Sequence, residues 1–162
     1  MTTELEIRAC GPADAPELAT VQRRAILHIA PRFYSREERE SWARGAVTKI
    51  GEWSSHGGEV IRAVCCGKGQ ILGFAGWKPE GVTGVITRVF VKPDFQGCGI
   101  GRALVEQAET DFRGRELRRF SVTASLSGVA FFERLGYQTV ARLLHETQGG
   151  VKIGMWDMEK LP

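Results

Sequence analysis

The chain has 162 residues, of which 43% are hydrophobic and 25% are charged, and this composition favours one globular domain over residues 1–162. Its formal net charge is +3, and the basic residues are mostly scattered arginines, so we expect no nucleic-acid partner, while a small anionic ligand is permitted. No apolar run reaches the roughly 20 residues that span a bilayer, and no cationic leader opens the chain, so we expect a cytoplasmic protein with no membrane partner.

The first predicted elements are a strand and a helix. Residues 5–10 alternate apolar and charged side chains, which predicts a half-buried strand. Asp14 follows a Gly-Pro pair and can cap a helix whose apolar positions recur at helical spacing from Leu18 to Ile29. Pro31 is expected to end this helix.

A second helix follows after a short irregular link. Ser35 is its predicted N-cap, with Glu38 three residues later as the second member of a capping box, and the helix should run toward residue 50. The link carries His28 and Tyr34, and polar and aromatic side chains in a loop between helices predict the lip of a substrate site.

The middle of the chain has the character of strands. Residues 59–66 and 70–77 flank a glycine-containing turn and predict a hairpin. We interpret residues 78–84 as a connection and 85–91 as an apolar strand near the centre of a sheet. The rest of the chain predicts a helix from residue 100, a strand at 118–123, a short helix at 129–135 and two final strands at 137–144 and 151–158.

A Gly-rich turn lies between the apolar strand and the helix that follows it. Gly97, Gly99 and Gly101 occupy alternate positions directly before the helix. A strand that ends at such a turn directs backbone N–H groups and the positive end of a helix dipole at one place. The stretch therefore predicts a phosphate-binding site.

Two common nucleotide motifs do not fit this turn. No Gly-Lys-Ser or Gly-Lys-Thr follows it, which excludes a Walker loop, and the spacing is G-x-G-x-G rather than G-x-G-x-x-G. The next strand ends in Ser121-Val122-Thr123, without the acidic residue that a dinucleotide site requires. What remains is the pattern Q-x-x-G-x-G, which begins at Gln96.

This pattern resembles the acyl-CoA-binding signature of the GNAT acetyltransferase superfamily, [RQ]-x-x-G-x-[GA]. Residues 125–137, SLSGVAFFERLGY, resemble the second motif of that family, a short helix that ends in a Leu-Gly-aromatic turn. The order of elements is also similar over nearly the whole chain. The resemblance implies an α/β GNAT fold, with flanking helices and a mixed central sheet that is splayed at the acyl-CoA site.

The resemblance also implies a reaction: direct transfer of acetyl from acetyl-CoA to a primary amine, on a small molecule or a peptide, in a ternary complex. A homodimer is compatible with it. The backbone N–H of Val89 would be the oxyanion donor. The implied coenzyme contacts are Val89, Phe90, Val91, Gln96, Gly97, Cys98, Gly99, Ile100, Gly101, Arg102, Thr123 and Phe132.

The sequence departs from the family at the position of the general acid. Phe132 stands where many members have a tyrosine that protonates the leaving sulfur, and Thr123 stands where asparagine is common. Ser125 or Ser127 is a candidate hydroxyl for the missing acid, directly or through water, or else a helix cap.

The general base is also absent from its usual place, because the strand 85–91 carries no carboxylate. The candidates elsewhere are Glu80, His28, Tyr34, His56 and His145. Arg88 is the charged residue in this strand, and it either receives a carboxylate of the acceptor or forms an internal salt bridge, for example with Glu80.

These departures leave two alternatives. The protein is either a binding module for acyl-CoA with little turnover, or an acyltransferase with a hydroxyl acceptor or a longer acyl donor. The four cysteines have no CxxC spacing, and we expect buried thiols in a reducing compartment and no metal site. For Trp42, Trp53, Trp77 and Trp156 we expect packing roles.

Overall fold

The structure is a computed structural model, and it describes residues 4–48 and 58–162. Its strands are β1 Glu6–Ala9, β2 Val60–Cys65, β3 Ile71–Glu80, β4 Thr83–Val91, β5 Arg119–Ser125, β6 Gln138–Glu146 and β7 Lys152–Lys160. Its helices are α1 Ala15–Leu27, α2 Arg36–Thr48, α3 Ile100–Gly114 and α4 Val129–Arg134. The predicted order of elements is confirmed.

The strands form one mixed sheet in the order β1-β2-β3-β4-β5-β7-β6. β4 and β5 are parallel, whereas every other neighbouring pair is antiparallel. α3 packs on one face of the sheet through residues such as Leu104 and Phe112, and α1 packs on the other face through Leu18 and Val21. The central strands β3 and β4 therefore lie between two apolar layers.

Both predicted helix starts are confirmed, although the first helix is shorter than expected. The N–H of Ser35 donates to the Glu38 carboxylate at 2.8 Å, and the N–H of Glu38 donates to the Ser35 hydroxyl at 3.1 Å, which is the predicted capping box of α2. Asp14 occupies the N-cap position of α1, but its carboxylate accepts the N–H of Gly11 rather than an N–H of the helix. This helix ends at Leu27, so Ile29 packs from the link rather than from the helix.

The connection expected at residues 78–84 is wrong. β3 continues to Glu80 and β4 begins at Thr83, and these two residues face each other across a tight turn at Gly81-Val82. The pairing with β4 continues through Lys78 and Pro79, which a pattern based on apolar residues alone does not reveal.

Candidate functional site

The two central strands separate halfway along their length. The register between β4 and β5 ends at the pair Ile86↔Val122. β4 nevertheless continues to Val91 and β5 to Ser125, so the distal halves of the two strands do not pair with each other. The predicted splay of the sheet is present, and it leaves a gap between two strand edges.

The peptide groups of β4 supply one edge of this gap. The N–H of Lys92 donates to the carbonyl of Leu72 at 2.8 Å, on the β3 side. Because alternate residues of a strand direct their peptide groups to the same side, those of Val89 and Val91 point into the gap. The Val91 carbonyl accepts a hydrogen bond from the Gln96 side-chain amide at 3.1 Å, which ties the following loop to the strand.

The Gly-rich turn closes one end of the gap. Gly97 and Gly99 have φ values of 80° and 84°, in the left-handed region that L side chains rarely adopt. Gly99 is the N-cap of α3, whose first N–H groups have no partner within the helix. A Cβ on Gly101 would lie 3.2 Å from the ring of Phe131 in α4, so glycine here allows the two motifs to pack together.

The gap opens into a cleft of about 1340 Å³. All of the predicted coenzyme contacts line this cleft except Cys98 and Ile100. The side chain of Ile100 is buried in the α3 core, so only its backbone belongs to the turn. Cys98 is exposed, which corrects the expectation of a buried thiol, because the turn holds its side chain away from the protein.

The second motif forms the opposite wall. Phe132 is only 5% exposed, and it packs edge-on against Tyr137 at a centroid distance of 5.4 Å. The Ser125 hydroxyl accepts the N–H of Gly128 at 3.1 Å and contacts the Ser127 hydroxyl at 2.9 Å. The Thr123 hydroxyl donates to Asp157 at 2.9 Å. None of these groups is an acid in the position expected for tyrosine.

Arg102 lies at the mouth of the cleft, in the first turn of α3. Its guanidinium pairs with Glu106 at 2.8 Å, and its side chain is 69% exposed. An exposed i,i+4 ion pair is worth only about 0.5 kcal/mol. Arg102 can therefore leave Glu106 and turn toward an anion at the helix start.

The residues predicted for the substrate lip separate into two groups. His28 and His145 are exposed and line the cleft from opposite sides. Tyr34 is 2% exposed, donates its hydroxyl to the carbonyl of Gly154 at 2.7 Å, and accepts the N–H of Leu126 at 2.8 Å. These bonds connect three segments of backbone, and they account for Tyr34 as a packing residue rather than a ligand. Burial raises the pKa of its hydroxyl.

Arg88 forms an internal salt bridge, but not with the predicted partner. Its guanidinium lies 3.3 Å from the carboxylate of Glu59, the residue directly before β2. Glu80 pairs instead with Lys78, at 3.2 Å. Register explains the error, because Arg88 is opposite Gly76 in β3, whereas Glu80 lies at the far end of the same hairpin.

Glu59 also contacts the hydroxyl of Thr87, and both contacts use the same carboxylate oxygen. Sequence reasoning did not identify Glu59 or Thr87. His56 and Trp53, which it did consider, lie outside the described residues.

The chain is similar in sequence to known acetyltransferases. The profile of the Acetyltransferase (GNAT) family matches residues 24–137, which is more than half of the chain. The chain belongs to this family. The uncharacterised N-acetyltransferase YafP of Escherichia coli K12 is 26% identical over 148 residues, covering 90% of this chain and 89% of the relative.

Solved structures of GNAT proteins have the same fold. A GCN5-related N-acetyltransferase from Rhodopseudomonas palustris superposes with a TM-score of 0.87 and 25% identity, covering 100% of this chain and 99% of that chain. The PaiA N-acetyltransferase of Thermoplasma acidophilum, determined in complex with coenzyme A, has a TM-score of 0.73 and 20% identity, covering 98% and 99%. The predicted GNAT fold and acyltransferase class are confirmed.

Residues 4–48 and 58–162 contain no group of three or more His, Cys, Asp or Glu arranged to hold a metal ion. In the same ranges, no helix has both the length and the apolar character needed to cross a membrane.

Proposed function

We propose that this GNAT protein, as a single domain over residues 1–162, transfers acetyl from acetyl-CoA to a primary amine by direct attack in a ternary complex. The observation that carries the proposal is the gap between β4 and β5, which has a left-handed glycine turn at one end and a polar and aromatic wall at the other. A gap of this kind lets a donor and an acceptor approach the same point from two directions.

The residues of the turn suit the pyrophosphate of the coenzyme. We infer that the amides of residues 97–102 face the pyrophosphate, since glycine at positions 97 and 99 leaves no Cβ in front of them. The pantetheine arm would lie along the exposed edge of β4, beside Val89 and Val91. The Val89 N–H would then receive the thioester carbonyl, and such a donor contributes roughly 3 to 4 kcal/mol to the lowering of the barrier.

Departure of the sulfur is the step in which Phe132 matters. Phenylalanine has no proton to give, but a thiol with a pKa of about 8.5 leaves tolerably as a thiolate at neutral pH. Ser125 and Ser127 both line the cleft, and we propose that the Ser125 hydroxyl assists through water when the thiolate departs. Turnover should therefore be slowed rather than abolished by the phenylalanine.

We infer the acceptor from the part of the cleft that the α1–α2 region and β6 line, which we call the acceptor side. His28, Trp42 and Phe33 come from the α1–α2 region, and His145 comes from β6. The ion pair with Glu59 neutralises Arg88, so we propose that the acceptor is a small-molecule or peptide amine that needs no carboxylate of its own. Similarity to the uncharacterised N-acetyltransferase YafP of E. coli supports an amine acceptor.

The experiment compares matched acceptors. The protein is incubated with acetyl-CoA and a set of primary amines, each paired with the alcohol of the same skeleton, and released thiol and product mass are measured. We expect thiol release and acetylation with amines only. Acetylated alcohols, or transfer only from longer acyl-CoA donors, would revise the acceptor or the donor. Calorimetric binding of acetyl-CoA without thiol release from any acceptor would indicate a binding module.

A further inference from the structure

A carboxylate that belongs to neither sequence motif lies on the acceptor side of the cleft. Glu59 lines this cleft, and its side chain is 17% exposed. Its oxygen Oε1 contacts the Thr87 hydroxyl and lies 3.3 Å from Nε of Arg88. These two residues directly precede Val89, whose N–H points into the gap. The residues that hold this carboxylate are therefore next to Val89 in sequence, on the strand that borders the gap.

An irregularity in β4 produces this arrangement. The register with β3 shifts between Gly76 and Trp77, so that Gly76 pairs with Arg88 while Trp77 pairs with Ile86. Thr87 is the extra residue of a β-bulge. Ile86 and Val89 are three positions apart, yet both pack toward α3, which is impossible in a regular strand of period two. The bulge thus turns two consecutive side chains, Thr87 and Arg88, away from α3 and toward Glu59.

The neighbouring strand leaves space for the carboxylate. A Cβ on Gly76 would lie 2.6 Å from Oε1 of Glu59 and 2.7 Å from the hydroxyl of Thr87. Both distances are shorter than real Cβ contacts, so a larger residue at position 76 would displace the Glu59 and Thr87 side chains from this arrangement. Gly76 lies two residues after Phe74, on the face of β3 that packs against α1. The cluster therefore faces the same side of the sheet as the α1–α2 link.

We propose that Glu59 is the general base of the acetyl transfer, and that Thr87 and Arg88 are the residues that position it. This inference rests on the proposed function. A carboxylate has about four lone-pair sites, so Glu59 retains capacity for an acceptor ammonium or a bridging water beyond its two contacts. Apart from Arg88, the titratable and charged side chains that line the cleft are His28, Lys78, Arg102, Arg134, His145 and Glu146.

The proton balance of the step is as follows. The acceptor arrives as an ammonium, and Glu59 takes one proton from it, directly or through water, and passes it to solvent. The nitrogen lone pair then forms the C–N bond, and the negative charge moves to the carbonyl oxygen at the Val89 N–H. When the intermediate collapses, the C–S bond breaks, and the second nitrogen proton leaves to neutralise the thiolate.

The test measures kcat, KM and the pH profile of Glu59→Gln. We expect kcat at pH 7 to fall about a hundredfold, with acetyl-CoA affinity unchanged, because a positioned base contributes about 10²- to 10⁴-fold. The deficit should narrow at alkaline pH, where the acceptor loses its proton without help. Glu80→Gln is the matched control, since Glu80 is exposed and does not line the cleft.

A second variant moves the carboxylate without removing it. Gly76→Ala places a methyl group where Oε1 of Glu59 lies, and we expect the same loss of kcat with unchanged coenzyme binding. If the wild type turns over and Glu59→Gln keeps kcat within about twofold, or changes only KM with an unaltered pH profile, Glu59 is not the general base. The proposed function is not affected by that result. Absence of wild-type turnover with every amine overturns the proposed function, and this inference with it.

Discussion

Phe132 is the residue at which this protein departs most clearly from its family. The ring lines the cleft but is held in the core between Phe131 and Tyr137, at centroid distances of 5.0 and 5.4 Å. A tyrosine at this position would add a hydroxyl to a ring that already lines the cleft.

We expect Phe132→Tyr to keep acetyl-CoA affinity and to raise kcat up to about a hundredfold, the lower limit for a well-placed acid. Affinity is measured by calorimetry and kcat by thiol release, with Phe131→Tyr as the control on the neighbouring ring. A loss of affinity beyond tenfold would mean that the phenylalanine ring packs directly against the coenzyme.

Asp14 controls a pH-dependent contribution to stability at the start of α1. Hydrogen bonds from the Arg8 guanidinium, and then from the Gly11 N–H, lower the pKa of this carboxyl to about 2. Because the folded pKa lies below the unfolded value, the stabilisation is present above the ordinary pKa of about 3.9 and is lost as the pH falls toward 2.

We expect Asp14→Asn to lower the free energy of unfolding by about 1 kcal/mol at pH 7, a value limited by the partial exposure of Arg8. The difference from the wild type should vanish near pH 2, in urea titrations across this range. Glu40→Gln removes an exposed pair with Arg36 and should have no measurable effect. A difference in the free energy of unfolding that is the same at all pH values would show that the introduced side-chain amide, and not the lost charge, destabilises the variant.

At the scale of elements, the start of α3 brings the glycine turn and the helix dipole together. Gly99 is both a left-handed residue and the N-cap of a 15-residue helix. A β-branched side chain at this position disfavours the backbone conformation and also obstructs the approach to the amides.

Gly99→Val should therefore weaken acetyl-CoA binding by at least a hundredfold, as measured by calorimetry. Gly114→Val is the matched control at the other end of the same helix, where a Cβ meets nothing within 4 Å and φ is not positive. Equal affinity in both variants would remove the phosphate site from this turn.

The strand β4 combines two departures from regularity within nine residues. Its bulge at Thr87 directs two side chains toward Glu59, and its separation from β5 after Ile86 directs peptide groups into the gap. Val89 connects the two features, because it follows the bulge and borders the gap. Bulges next to functional sites commonly re-aim side chains in this way.

At the scale of the whole molecule, the acceptor side is built from segments distant in sequence. α2 contacts the turn between β6 and β7 through a buried bond of 2.6 Å between the hydroxyls of Ser41 and Thr147. Tyr34 connects the α1–α2 link to Leu126 and Gly154. The acceptor walls are thus fixed to the same sheet that carries the donor site.

The conformation of the proposed donor site could be predicted from sequence because its parts are contiguous. The turn from Gln96 to Gly101 fixes its own conformation, through glycines whose positive φ values the spacing suggests. The acceptor side was not predictable in this way. Glu59 meets Arg88 only through the register of β2, β3 and β4, and the bulge at Thr87 shifts that register by one residue.

Contacts between distant segments also decide the environment of Tyr34. Tyr34 was expected in the acceptor site because it lies in a loop, and its burial depends on a contact with Gly154, 120 positions away. A glycine such as Gly76 within a strand was a usable signal, since it often marks a bulge or a close approach.

Steady-state initial velocities over a matrix of acetyl-CoA and primary-amine concentrations test the transfer most directly, with released thiol and acetylated amine measured in the same samples. Direct attack in a ternary complex gives double-reciprocal lines that intersect, and one acetylated amine for each thiol released. Parallel lines would indicate an acetylated enzyme intermediate, and thiol release without acetylated amine would indicate hydrolysis. Either result would contradict acetyl transfer across the gap between β4 and β5.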